Sequence, residues 1–440
     1  MTTIEDLYKL YLSHPVVSTD TRKLPEGCLF FALRGANFDG NKYAGAALEA
    51  GAAYAIIDDP DQRIDERTIL VPDALQALQL LAAHHRRTLG LPVIAITGTN
   101  GKTTTKELTA AVLSQSYRLL YTEGNLNNHI GVPLTLLRLT SEHQLALIEM
   151  GASKPGDIAE LCAIADPNYG LITNIGQAHL EGFGSLEGVR RTKGELYDSV
   201  RSRGGILFYH EGDEVLRQMS KGTERISYGS NPEAYVQGLA SPSMGESLFL
   251  HFSWSCPILE MSPREVQTQL VGDYNLANAL AAIAIGLYFD VPSDKINEAL
   301  TSYCPSNSRS QLIHSERGNQ IIADAYNANP SSMRTALSNF LSIEPTQRPR
   351  IVILGDMNEL GTSSHEAHQD LYQSLISSTT PPLEIYLCGP HWQEELGDQV
   401  RVYPNVEELI THIEAHPITQ SLILVKGSNS IRLGKLLPYL

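Results

Sequence analysis

Val93-Ile-Ala-Ile-Thr97-Gly98-Thr99-Asn100-Gly101-Lys102-Thr103-Thr104-Thr105 decides how the chain folds around its chemistry. A β-branched apolar run stops at two glycines. A lysine and three hydroxyls then lead into Lys106-Glu-Leu-Thr-Ala-Ala-Val-Leu113, a helical pattern. The reading is strand, tight loop, helix N-terminus, with the helix's unpaired N–H groups aimed at whatever sits in the loop. A polyphosphate suits such a nest: backbone donors for its oxygens, Lys102 for the β/γ charge, and Thr103 for Mg²⁺. The full P-loop pattern would place glycine where Ile96 stands, so the chain keeps its second half, Gly98-x-x-Gly101-Lys102-Thr103. A glycine turn with a surface lysine is the plainer alternative, and the flanking strand and helix weigh against it.

Working outward, 440 residues are long for one core and predict two or three domains. Apolar residues make up 42% and charged residues 19%, as in ordinary globular proteins. Cys28, Cys162, Cys256, Cys304 and Cys388 are scattered, odd in number and without metal-type spacing. They read as reduced, mostly buried thiols of a cytoplasmic protein. The N-terminal Met-Thr-Thr-Ile-Glu-Asp-Leu lacks a basic region before an apolar core, so no signal peptide is expected. No stretch approaches the ~20 apolar residues that span a membrane. A formal charge of −16 excludes a broad nucleic-acid surface, and His84-His-Arg-Arg87 reads as a helix end. A phosphate ligand must then be held by local donors and metal, not by the overall field.

The first ~90 residues alternate short strands and helices, with strands at Gly27–Leu33 and Ala53–Ile57 and a helix at Ala44–Gly51. The polar stretch Arg86–Leu91 is a candidate boundary. Leu145–Met150 and Tyr169–Ile175 carry continuous apolar runs, as buried parallel strands do, and Asn275–Leu287 reads as a helix. Cys304-Pro-Ser-Asn-Ser-Arg309 is a second linker candidate. Beyond it, strands at Gln320–Ala325, Arg350–Leu354, Glu384–Leu387 and Leu422–Val425 alternate with helices at Ser332–Leu341, Glu366–Ile376 and Val406–Glu414. That alternation predicts right-handed crossovers and a Rossmann-like unit.

Glu149 ends the buried run Ala146-Leu-Ile-Glu149, where open α/β sheets present residues to ligands. A carboxylate there can reach a Mg²⁺ shared with Thr103, although a strand-end Glu can equally cap a helix or pair with a cation. Asn174-Ile-Gly-Gln-Ala-His179 opens at the end of the next strand. After a glycine-rich stretch comes Lys193-Gly-Glu195. Taken singly, His179 is more often structural than a metal ligand.

Together, Gly98-Thr-Asn-Gly-Lys-Thr103, Glu149-Met-Gly151, Asn174-Ile-Gly-x-Ala-His179 and Lys193-Gly-Glu195 resemble the ATP-dependent Mur ligase family, over the whole chain. Further blocks share the likeness: Asp20-Thr-Arg22, Gly124-Asn-Leu-Asn-Asn128-His-Ile-Gly-Val-Pro133, His179-Leu-Glu-Gly-Phe-Gly184, Ala325-Tyr-Asn-Ala-Asn-Pro330, Leu354-Gly-Asp-Met-Asn-Glu-Leu-Gly361 and Val425-Lys-Gly-Ser428. Two of them, Tyr-Asn-Ala-Asn-Pro and Gly-Asp-Met-x-Glu-Leu-Gly, separate the branch that adds D-alanyl-D-alanine from its siblings. The resemblance implies an α/β chain of three domains. A central P-loop-type parallel sheet (91–305) binds ATP. It is flanked by a small N-terminal α/β domain (1–90) for the UDP-muramoyl substrate and a C-terminal Rossmann-like domain (306–440).

The implied reaction joins D-alanyl-D-alanine to UDP-N-acetylmuramoyl-tripeptide through an acyl phosphate, with ATP as co-substrate. By the same likeness one Mg²⁺ is held by Thr103 and Glu149, and a second by His179 and Lys193. A free ammonium would repel a cation, and in the family this lysine carries a CO₂-derived carbamate, so carbamylated Lys193 is expected. Gly98, Thr99, Asn100, Gly101, Lys102, Thr103 and Thr104 form the phosphate contact set. Asn275 is matched to the adenine, Arg309 to the phosphates and Asp324 to the ribose. Asn275 could instead cap its helix, and Arg309 could be a linker ion pair. Thr21 and Arg22 match the diphosphate-binding positions of the first domain. Asn125, Asn127 and Asn128 match muramoyl contacts, although an Asn-rich loop is also turn chemistry. Ala323, Ser308, Tyr274 and Asn429 depart from the family's usual residues, the first three beside nucleotide contacts. The expected protein is a cytoplasmic monomer with no nucleic-acid partner and no membrane insertion. A sibling ligase and a non-catalytic ATP-dependent switch are the competing readings. Against the first stands the absence of Asp-Asn-Pro-Arg, and against the second the presence of Glu149, His179 and Lys193.

Overall fold

The computed structural model describes residues 2–177, 180–241, 247–305, 309–343, 348–358, 360–377, 383–392 and 400–440. Three main sheets follow one another along the chain. The first contains β1 (Val17–Ser18), β2 (Leu29–Phe31), β5 (Tyr54–Ile57) and β6 (Thr68–Leu70), all parallel. A separate small hairpin joins β3 (Arg34–Gly35) to β4 (Phe38–Asp39). The helix Ala74–Leu89 carries the chain out of this sheet and stops at Gly90, which takes φ +66°. The His84–Arg87 patch belongs to this helix end. Arg86 is buried, and its guanidinium donates to Ala165 O, Asp166 O and Asn168 Oδ1. Leu7, Tyr11, Leu78 and Leu81 share one apolar core with Val93, Ile158, Leu161 and Leu196, so the first sheet's helices are packed onto the second sheet.

The second sheet has nine strands. They are β7 (Val93–Thr97), β8 (Leu119–Tyr121), β9 (Leu145–Glu149), β10 (Tyr169–Ile172), β11 (Ile206–His210), β12 (Arg225–Gly229), β13 (Val236–Ala240), β14 (Phe249–Ser255) and β15 (Arg264–Val271). Their order is β15-β14-β13-β12-β11-β10-β7-β9-β8. β7 lies between β9 and β10, parallel to both, with Ile96 opposite Glu149 and Thr97 opposite Ile172. The chain leaves β7 toward one edge and later returns on its other side, so the ligand-binding crevice of such a sheet falls at these strand ends. The sequence reading expected a parallel sheet. The β13–β14 and β14–β15 pairs are instead antiparallel, and β14 alternates buried and half-buried residues along Phe249–Ser255. That alternation lets the wing cover the core with one face only.

The third sheet comprises β16 (Gln311–His314), β17 (Gln320–Asp324), β18 (Arg350–Gly355), β19 (Leu383–Cys388), β20 (Val400–Tyr403) and β21 (Leu422–Lys426). The order is β16-β17-β21-β18-β19-β20, with β16 antiparallel at the edge. Among the described residues, no helix is long and apolar enough to cross a membrane. All five cysteines are free; Cys304 is exposed and the other four are buried.

Candidate active site between the second and third sheets

The loop after β7 is shaped by two glycines that no other residue could replace in place. Gly98 takes φ +145°, and a Cβ there would lie 2.0 Å from Thr173 Oγ1. Gly101 takes φ +77°, with a Cβ 2.6 Å from Asn278 Oδ1. Gly101 is also the residue before the helix Lys102–Leu113, and no side chain caps that helix. Its first N–H groups therefore face the loop uncapped by any described side chain, which suits an anion. Lys102 Nζ bends back to donate to Gly98 O (2.8 Å) and Thr99 O (3.0 Å). Burial favours its neutral form, opposed by Glu149 and reinforced by Arg309.

Glu149 reaches the same space from the end of β9. Its Oε1 accepts from Thr103 Oγ1 (3.1 Å) and Asn127 Nδ2 (2.7 Å), while Oε2 is buried without a hydrogen-bond partner among the described residues. A buried carboxylate oxygen with no donor, next to a hydroxyl and an amide, is a hard-oxygen set that fits Mg²⁺. His179 lies outside the described residues. Lys193 sits within the helix Leu186–Ser202, 3% exposed, and among the described residues no carboxylate is within ion-pair distance of it. Burial, aided by Lys102, brings its amine down to about 7. Glu195, the last residue of Lys193-Gly-Glu195, does separate work. Its two carboxylate oxygens accept from Gly156 N and Ala159 N, each at 2.9 Å, at the start of the helix Asp157–Ala165.

A cavity of about 840 Å³ opens between the two sheets. Thr99, Asn100, Gly101, Lys102, Thr103, Thr104, Asn125, Asn127, Asn128, Glu149, Asn275, Arg309 and Asp324 all line it. Thr21 and Arg22 are not among the lining residues; they lie in a turn of the first domain, where Arg22 pairs with Asp20 (2.7 Å). Asn275 does not cap its helix: Nδ2 donates to Val271 O (2.8 Å), and Oδ1 accepts from Asn278 Nδ2 (3.0 Å). Asn128 makes turn chemistry, its Oδ1 accepting from Ile130 N and Gly131 N just before the helix Gly131–Leu136. Arg309 makes no linker ion pair among the described residues and stacks over Tyr326, 3.7 Å from the ring centroid. Asp324 ends β17 opposite Lys426, and the two are joined at 2.6 Å.

Sequence reasoning did not select Lys426, Asn329 or Ser331 as site residues, yet all three line the cavity. The available signal was local. Asn329 followed by Pro330 opens a helix, Pro330–Ser342, soon after a strand end, which repeats the strand–loop–helix logic of the phosphate loop.

The fold and the cavity together define an ATP-using ligase of the Mur type, and the comparisons agree: the chain belongs to the Mur ligase family. Residues 15–86 match the Mur ligase family catalytic domain, 96–286 the Mur ligase middle domain, and 308–429 the Mur ligase glutamate ligase domain. UDP-N-acetylmuramoyl-tripeptide–D-alanyl-D-alanine ligase of Escherichia coli is 38% identical, covering 94% of this chain and 91% of the relative. The enzyme of the same name from Bacillus subtilis is 34% identical, covering 96% and 92%. A crystal structure of MurF from Acinetobacter baumannii has a TM-score of 0.84 at 32% identity, covering 96% of this chain and 92% of that one. MurF ligase from Thermotoga maritima in complex with ADP has a TM-score of 0.84 at 25% identity, covering 96% of each chain.

Proposed function

We propose that this chain joins D-alanyl-D-alanine to UDP-N-acetylmuramoyl-tripeptide, cleaving ATP to ADP and phosphate, as the name of its full-length relatives describes. The observation that carries the reading is the shared cavity: the phosphate loop and Glu149 from one domain and Arg309 and Asp324 from another face the same space. The proposed division is 1–90 for the UDP-muramoyl substrate, 91–305 for ATP and 306–440 for closure over the site.

A carboxylate of the tripeptide attacks the γ-phosphorus, the bond to the β-phosphate oxygen breaks, and ADP leaves with that electron pair. The dipeptide's amine then attacks the acyl carbon, phosphate leaves with the C–O pair, and the ammonium proton passes to solvent. Bringing an anion to a triphosphate requires positive charge and donors already in place. The uncapped helix N-terminus, Lys102 and Arg309 supply them from this chain. Thr103 and Glu149 would hold one Mg²⁺; His179 and Lys193, as its carbamate, a second. When bound, these ions offset the negative charge gathering at the γ-phosphate. Forming a carbamate needs a neutral amine, and burial of Lys193, with Lys102 near it, favours one. Asn275 and Asp324 are assigned to adenine and ribose. Thr21 and Arg22 are assigned to the diphosphate, and Asn125, Asn127 and Asn128 to the muramoyl side. Docking of the third domain shields the acyl phosphate from water. The protein is proposed to act as a cytoplasmic monomer.

Phosphate release measured with UDP-N-acetylmuramoyl-tripeptide, with and without D-alanyl-D-alanine, tests the reading. Release that needs both, with a pentapeptide product by mass, is expected. Release that needs neither substrate would favour a nucleotide switch instead.

A further inference from the structure

The phosphate loop touches the third domain through a closed ring of three side chains. Asn329 Oδ1 accepts from Ser332 N (2.9 Å), a backbone donor, and this fixes which way its amide points. Asn329 Nδ2 must then face Asn100, and it donates to Asn100 Oδ1 at 2.7 Å. That turns Asn100 Nδ2 toward Ser331 Oγ (2.8 Å), and the Ser331 hydroxyl donates back to Asn329 Oδ1 (2.8 Å). One backbone N–H thus orients the whole ring. On the loop side Asn100 is held as firmly: its N donates to Asn174 Oδ1 (2.9 Å), and its O accepts from Thr173 Oγ1 (2.6 Å) and Asn174 Nδ2 (3.0 Å). Residue 176 is glycine, and a Cβ there would lie 3.3 Å from Ser331 Oγ, so a side chain would crowd the ring by a few tenths of an ångström.

We propose that Asn329 is a positioning residue that makes the shape of the phosphate loop and the docking of the third domain a single event. The proposal rests on the ligase reading above. Asn100 lies between the two loop glycines, so its side chain meets Asn329 only when the loop holds its phosphate-binding form. The ring has one donor for each acceptor, and breaking one bond strands a half-buried amide oxygen on the loop. A docked third domain therefore reports a formed loop, and the acyl phosphate is made where water is already excluded.

Asn329→Ser separates this role from helix capping. Its hydroxyl still accepts from Ser332 N, so the cap survives, but it is too short to reach Asn100 and leaves Asn100 Oδ1 without its donor. Expected are a kcat lower by roughly 10- to 100-fold, more than one phosphate released per peptide bond, and a larger radius of gyration by X-ray scattering with ADP bound. Wild-type turnover, one-to-one stoichiometry and wild-type dimensions in Asn329→Ser would overturn the proposal. Asn329→Ala, which removes the cap as well, must be worse than Asn329→Ser; equal melting temperatures with unequal coupling would place the defect at the ring. If the wild-type chain makes no peptide bond, the ligase reading fails by itself, and the scattering comparison still decides on the ring.

Discussion

At the ends of β7 and β9 the middle domain leaves polar groups uncompensated, whereas at the ends of β17 and β21 the third domain pairs its own. Among the described residues Glu149 Oε2 is buried without a donor, and no side chain caps the helix after Gly101. Across the cavity, Asp324 and Lys426 are joined at 2.6 Å, and Asn329 caps its helix in a full capping box with Ser332. The uncompensated side is poised to take up ligand charge. The compensated side holds Asn329 already oriented toward Asn100, beside Arg309 and Asp324, the proposed nucleotide contacts. The difference puts the proposed metal site on one face and docking on the other.

Removing the groups on the uncompensated side should hurt activity far more than stability. Lys193→Ala is expected to lower turnover by about 10³-fold or more, with melting unchanged or slightly raised. Full turnover in that variant, or intact mass and density showing an unmodified amine at Lys193 in the active protein, would end the carbamate assignment. Glu149→Gln keeps an oxygen for Thr103 and Asn127 but removes the charge; a loss of about 10²- to 10³-fold is expected. Calorimetry should also show that added Mg²⁺ no longer raises the melting temperature of its ADP complex. Retained Mg²⁺ dependence would move the metal elsewhere.

The paired side should behave in the opposite way. Lys426→Met leaves Asp324 beside an apolar chain and should cost about 3 kcal/mol of stability, read by urea denaturation, along with a raised KM for ATP. An unchanged midpoint would mean that the pair contributes nothing net. Asp356 is an exception within the third domain and sharpens the contrast: among the described residues its buried Oδ1 makes no hydrogen bond, with His368 Nε2 at 3.8 Å, and His391 N is 3.3 Å from Oδ2. Burial pushes its carboxyl up to about 6. The fold therefore favours its acid form, and the stabilisation it gives is full below about pH 4 and lost as pH rises through 6. Asp356→Asn should flatten that slope, by on the order of 2 kcal/mol between pH 4 and pH 8. A slope unchanged in the variant would assign it to another group.

Much of this contrast was legible residue by residue. Val93–Thr105 announced strand, loop and helix because all three are local: β-branching, two glycines and a helical period lie within 21 residues of Val93–Leu113. Asn275 and Asn128 show where such reading stops. Both are asparagines beside helix starts, with turn chemistry open for Asn128 and capping for Asn275. Asn128 does make a local turn, accepting from Ile130 N and Gly131 N, while Asn275 is drawn from the capping role by Val271 O and Asn278. The residue type is the same, and the backbone and side chains a turn away choose between the outcomes. The antiparallel wing went unread although Phe249–Ser255 alternates, because alternation shows a half-covered strand and not the direction of its neighbours.

By itself the chain determined what short-range forces control: the glycine-bounded phosphate loop, the buried strand ending in Glu149 and the family likeness of the motifs. Tertiary structure decided which of these groups meet. Asn100 and Asn329 stand 229 positions apart, and no local periodicity relates them. Their hydrogen bond exists because packing the third domain against the second brings two helix N-termini to one cavity, and contacts of that span follow from shape and burial, which the order of residues encodes only through the whole fold.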